Sequence, residues 1–119
     1  MENQKPNPIV QKSFDFAVKV VKLARWLKER SKDYALINQL TRSATSIGAN
    51  VAEAQSAQSR PDFISKMHIA LKETNETIYW LRLFLATDII SKEDADKLLK
   101  DAQEIRKILA SIIKTSKEK

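Results

Sequence analysis

The sequence predicts an all-α fold, an up-down-up-down antiparallel four-helix bundle spanning residues 1–119 as one domain. Three observations carry this expectation. One Gly and three Pro in 119 residues leave too few breakers for the many turns of a β fold, and long helices use the least turn chemistry. Apolar residues recur at spacings of three and four along four separate segments. The stretches between those segments are only a few residues long, so consecutive helices pack as antiparallel neighbours.

The first helix is expected over about residues 8–30, started by the Asn7-Pro8 pair. Phe16, Val20, Leu23 and Leu27 share its core face, while Lys19, Lys22, Arg25 and Lys28 run at spacings of three on the remaining arc. The second spans about 33–58, with Ile37, Leu40, Ala44, Ile47, Val51 and Ala54 as an unbroken seam. Between Tyr34 and Ser59 its only charges are Arg42 and Glu53; the rest is mainly small and neutral, which indicates neighbours on several sides. The third runs over about 60–87 from a capping box, Ser59 with Asp62, and turns Phe63, Met67, Ala70, Thr74, Ile78, Leu81 and Leu85 inward. The fourth covers about 92–114 from Ser91 and Asp94, with Ala95, Leu98, Ala102, Ile105, Leu109 and Ile112 inside and a tail expected to fray.

Composition removes several function classes. The absence of Cys excludes disulfides, thiolate metal sites and cysteine nucleophiles, and the one imidazole, His68, cannot build a histidine-rich metal centre. No Glu-x-x-His pair for a di-iron bundle is present, and the single Gly48 sits inside a helix instead of a phosphate-cradling loop. The N-terminal residues lack a basic segment followed by an apolar run, and no stretch is long and apolar enough to span a bilayer, so a cytoplasmic protein without cofactor, metal or membrane partner is expected. The net charge is +6, and residues 9–32 hold seven basic against two acidic side chains, so nearly all the excess sits on the first helix. Such a face suits phosphate contacts as well as solubility.

One enzymatic pattern competes. Glu73 and Glu76, followed by Glu93 and Asp96, resemble the magnesium-binding carboxylates of all-helical nucleotide pyrophosphohydrolases. Geometry opposes it: with the turn near Ile89, Glu76 lies about 20 Å along the third helix and Asp96 about 10 Å along the fourth. A different signal comes from large apolar residues away from the core stripes. Ile69, Trp80 and Leu83 on the third helix, and Phe14, Val18, Val21 and Trp26 on the first, suggest contact with another subunit.

The run from Gln39 to Ala54, QLTRSATSIGANVAEA, resembles the second-helix signature of the 23S rRNA intervening-sequence proteins. Asp62-Phe63 and the run from Ile69 to Leu81, IALKETNETIYWL, resemble that family's third helix, and the likeness extends from about Phe14 to Leu109. Ala54 stands where the family often has Gly, and Gly48 where many members have Pro. The resemblance implies a homopentamer of four-helix bundles, related to an accessory protein of diversity-generating retroelements that binds nucleic acid. It also marks Arg42, Ser46, Asn50, Glu53 and Glu76 as motif residues with structural roles. Arg42 and Glu53 lie about 16 Å apart along the axis, so each needs a partner on another helix or subunit. The expectation is a non-enzymatic homo-oligomer that binds RNA or DNA without sequence preference through Lys19, Lys22, Arg25 and Lys28, with Ile69, Trp80 and Leu83 at the subunit interface.

Overall fold

Apolar stripes at helical spacing can be buried only against one another, and the chain does this with four helices: α1 (Pro8–Lys28), α2 (Tyr34–Ala54), α3 (Arg60–Ala86) and α4 (Lys92–Lys117). The structure, a computed structural model, describes residues 8–119. Asn7, expected at the start of the first helix, and the N-terminal residues read against a signal segment lie outside the described residues. α1 packs on α2, α2 on α3 and α3 on α4, and α4 closes the bundle against α1 along its sparsest seam. The result is a rod 47 Å long and 25 by 22 Å across.

Helix ends follow local chemistry. Ser59 Oγ accepts from Asp62 N at 3.2 Å to start α3, and Ser91 Oγ accepts from Asp94 N at 3.1 Å to start α4. Asp33 makes no such bond at α2; its carboxylate accepts from the Ser31 hydroxyl instead. α2 stops at Ala54, short of the expected Gln58, because the chain tightens through Gln55 N to Ala52 O and Ser56 N to Glu53 O before Ser59 opens the next helix. α1 likewise stops two residues before Arg30, with Arg30 N and Ser31 N both donating to Leu27 O. α4 continues through the expected frayed tail to Lys117, because Ile113 is buried and Lys114 and Lys117 complement the helix C-terminus. α3 ends in a Schellman turn: Ile89 N donates to Phe84 O, Asp88 N to Leu85 O, and Asp88 takes the left-handed conformation, φ 62°.

The core is the expected one, rotated by a residue or so in places. α1 buries Ala24 and leaves Leu23 half-buried; α3 buries Thr77 and Phe84 and leaves Phe63, Ile78 and Leu85 half-buried; α4 buries Ile113 and not Ile112. The rotated positions are explained by stripe width, since a core-facing arc wider than one a/d seam admits i+3 and i+4 alternatives. Buried polar atoms are satisfied. Thr77 Oγ1 donates to Ser43 Oγ at 2.9 Å across the α2–α3 seam, and Ser43 Oγ donates on to Leu40 O at 3.2 Å. Among the described residues no buried side-chain nitrogen or oxygen lacks a partner. Gly48 sets the α1–α2 distance: a Cβ there would lie 3.3 Å from the carbonyl oxygen of buried Ser13.

Candidate functional site

The motif residues of α2 assemble against α3. Arg42, Ser46, Asn50 and Glu53 follow one another at four, four and three residues, which keeps them on one arc of the helix. Ser46 Oγ donates to Arg42 O at 2.7 Å and Asn50 Nδ2 to Ser46 O at 2.8 Å, so these two side chains tie back to their own helix. The two charges at the ends cross the seam, as their separation required. Arg42 grips Glu73 with both terminal nitrogens at 3.3 Å and also bonds Glu76, while Glu53 meets Lys66 at 3.5 Å. Trp80 Nε1 donates to the same Glu76 carboxylate at 3.3 Å. The two carboxylates push the Arg42 guanidinium above its already high ordinary pKa, the Glu73 hydrogen bond acting most. Glu73 is the unforeseen partner here; its side chain is 15% exposed, so the pairing screens an acid that α3 holds close to the core.

Around this ion-paired centre lie apolar side chains. Ile69 and Tyr79 are exposed, Tyr79 by 57%, and Leu83 is half-buried. Trp80, expected to project away from the core, is instead half-buried and packed against it, held by Glu76 and by an edge-to-face contact with Tyr79 at 5.2 Å. Its offset of four residues from Glu76 turns it toward α2. On α1, Val10, Phe14, Val18 and Trp26 are exposed, Phe14 by 62%, and Arg30 stacks over the Trp26 ring at 4.0 Å. The large exposed apolar residues described in the chain all lie on α1, α2 and α3; α4 contributes none.

The basic arc of α1 is divided. Lys19 pairs with Asp101 of α4 at 2.9 Å, and Lys28 donates to Asn38 Oδ1 of α2. Lys22 and Arg25 are exposed, and among the described residues neither forms an ion pair. Lys12, outside the Lys19–Lys28 arc, pairs with Glu104 at 2.8 Å, and that hydrogen bond raises the lysine's pKa. The cations of α1 are thus partly spent on acids of α4, a pairing across 82 to 92 residues of sequence that no local pattern announces.

The four carboxylates of the magnesium pattern do not converge. Glu73 and Glu76 serve Arg42; Glu93 bonds Lys97 at 3.3 Å and Asp96 bonds Lys92 at 2.7 Å within α4. Among the described residues no group of three or more His, Asp or Glu side chains is placed to hold a metal ion. His68 is exposed on α3. No helix among the described residues is long and apolar enough to cross a membrane.

A family model described as 23S rRNA-intervening sequence protein matches residues 5–111. A crystal structure of a protein of unknown function from the S23 ribosomal protein family of Bacteroides thetaiotaomicron is 49% identical in sequence. It superposes with a TM-score of 0.87 over 89% of this chain and 98% of its own. No curated protein matches significantly.

Proposed function

The chain belongs to the 23S rRNA-intervening sequence protein family, and we propose that it acts as a non-enzymatic cytoplasmic scaffold: a homo-oligomer of four-helix bundles, five subunits in the ring, that holds RNA by phosphate contacts. The observation that carries this reading is the uneven distribution of exposed large apolar side chains over the helices. Val10, Phe14, Val18, Trp26, Tyr34, Ile69 and Tyr79 lie on three helices, and the fourth carries no exposed large apolar side chain among the described residues. A monomer gains nothing from that asymmetry, whereas a second copy buries it. The Arg42–Glu73–Glu76 centre would then lie at or beside the contact, fixing orientation while the apolar rim supplies the burial. Lys22 and Arg25, the unpaired members of the α1 arc, offer phosphate contacts that the ring would multiply. Their chemistry is positional and carries no base readout, so RNA and DNA are both within reach.

The deciding experiment is multi-angle light scattering on the full chain. A mass five times that of the subunit is expected; a monomer at micromolar concentration overturns the reading. Incubation with nucleoside triphosphates and magnesium checks the other half, and pyrophosphate release that Glu76→Gln abolishes would establish an enzyme in its place.

A further inference from the structure

We infer that the outer face of α4, and chiefly the stripe Lys100, Lys107 and Lys114, is the track on which this protein holds duplex RNA. The inference rests on the RNA-scaffold reading above and moves its main contact from α1 to α4. The three lysines recur every seven residues, which keeps them on one side of the helix with a drift of roughly 20° per step. They therefore form a nearly straight line about 21 Å long. All are exposed, and among the described residues none of them forms an ion pair.

The acids of α4 that would otherwise neutralise this line are occupied elsewhere. Asp101 and Glu104 are held by Lys19 and Lys12 of α1, and Glu93 and Asp96 by Lys97 and Lys92 at the start of the helix. Two of the seven cations in residues 9–32 thus neutralise acids of α4, which moves part of the excess that the sequence assigns to the first helix onto the fourth. α4 is also the helix that carries none of the exposed large apolar residues, so it is the one an oligomer leaves facing water.

The occupant follows from what the face has and lacks. Between Lys92 and Lys117 there is no aromatic residue, hence no platform on which unpaired bases could stack, and this favours a duplex over a single strand. The absence of exposed large apolar residues on α4 argues against a protein partner, whose contact would need a buried hot spot. What remains is a row of mobile point charges suited to a dense line of phosphates, without sequence preference.

The test is duplex-RNA binding by the intact oligomer across a salt series, with a single-stranded RNA and polyglutamate as comparison probes. Replacing Lys100, Lys107 and Lys114 together by Gln should weaken duplex binding by more than about tenfold at 50 mM salt and flatten the log–log salt slope by about 2–3. The triple Lys→Arg variant should bind like the parent, and light scattering should show the same oligomer for all three. If the parent binds the duplex but the Gln variant binds equally well, the α4 assignment is overturned while the RNA reading stands. If the parent binds no RNA at 50 mM salt, the RNA reading itself fails and takes the assignment with it. Tighter binding to single-stranded RNA or to polyglutamate than to the duplex also overturns the assignment.

Discussion

Asp88 is the described non-glycine residue with positive φ, and it occupies the position after the α3 cap where glycine is usual. An L side chain in that region costs about 1–2 kcal/mol, part of which Asp recovers by local hydrogen bonding. Asp88→Gly should therefore stabilise the fold by about 0.5–1 kcal/mol in urea unfolding, with an unchanged m-value. Gly48 has the opposite sensitivity. The Ser13 backbone carbonyl, at 3.3 Å from a would-be Cβ, already crowds a methyl group there. Gly48→Leu should force α1 from α2 and cost about 1–3 kcal/mol, measured the same way. Arg42→Ala strands Glu73 and Glu76 beside each other; after discounting for solvent around the guanidinium, the expected loss is about 1 kcal/mol. A restoring effect of Glu76→Gln in the Arg42→Ala background would confirm that like-charge repulsion is the cause.

Among the elements, the caps separate cause from coincidence. Ser59 and Ser91 both bond the amide three residues on, so Ser59→Ala and Ser91→Ala should each cost about 1 kcal/mol of unfolding free energy. Asp33→Ala, at a helix start where the side chain makes no cap bond, should cost markedly less. These starts were legible in the sequence because a capping box is local: the signal and the structure lie within four residues. The helices and most of their inner stripes were legible for the same reason, periodicity being a property of one helix. What escaped was everything decided between helices. Ser43 and Thr77 lie 34 residues apart and declare themselves partners only once α2 and α3 are side by side. Lys19 read as a free cation until α4 brought Asp101 to it, and Trp80 read as outward because a helical wheel gives an angle but not how far a neighbour's edge extends. Of the candidate site, the need of Arg42 and Glu53 for outside partners was visible from their separation; which residues answered was not.

For the whole molecule, the proposed ring makes a prediction that one bundle cannot. Tyr79→Glu and Ile69→Glu alter exposed side chains that contribute little to the bundle's own core, so helix content by circular dichroism should persist while light scattering reports smaller particles. Trp80→Glu is a harsher variant, because the ring is half within the fold and the new carboxylate would face Glu76. Loss of assembly in that variant counts only alongside the two exposed ones. Equal particle mass for the parent and both exposed variants would remove α3 from the contact.

The order in which the helices meet also has a kinetic consequence. Three of the four seams join helices that follow one another in the chain, and only α1 against α4 brings distant segments together. A topology dominated by short loops closes early and fast, so the bundle should fold on the rapid side for its size. The α1–α4 seam spans the longest loop and is laced on its outside by Lys12–Glu104 and Lys19–Asp101, bonds between mobile ends in water. Such contacts are expected to form after the rate-limiting step. Removing them should leave the refolding arm of a chevron where it is and raise only the unfolding rate, so that the α1–α4 seam acts as the latch of the bundle and not as its nucleus.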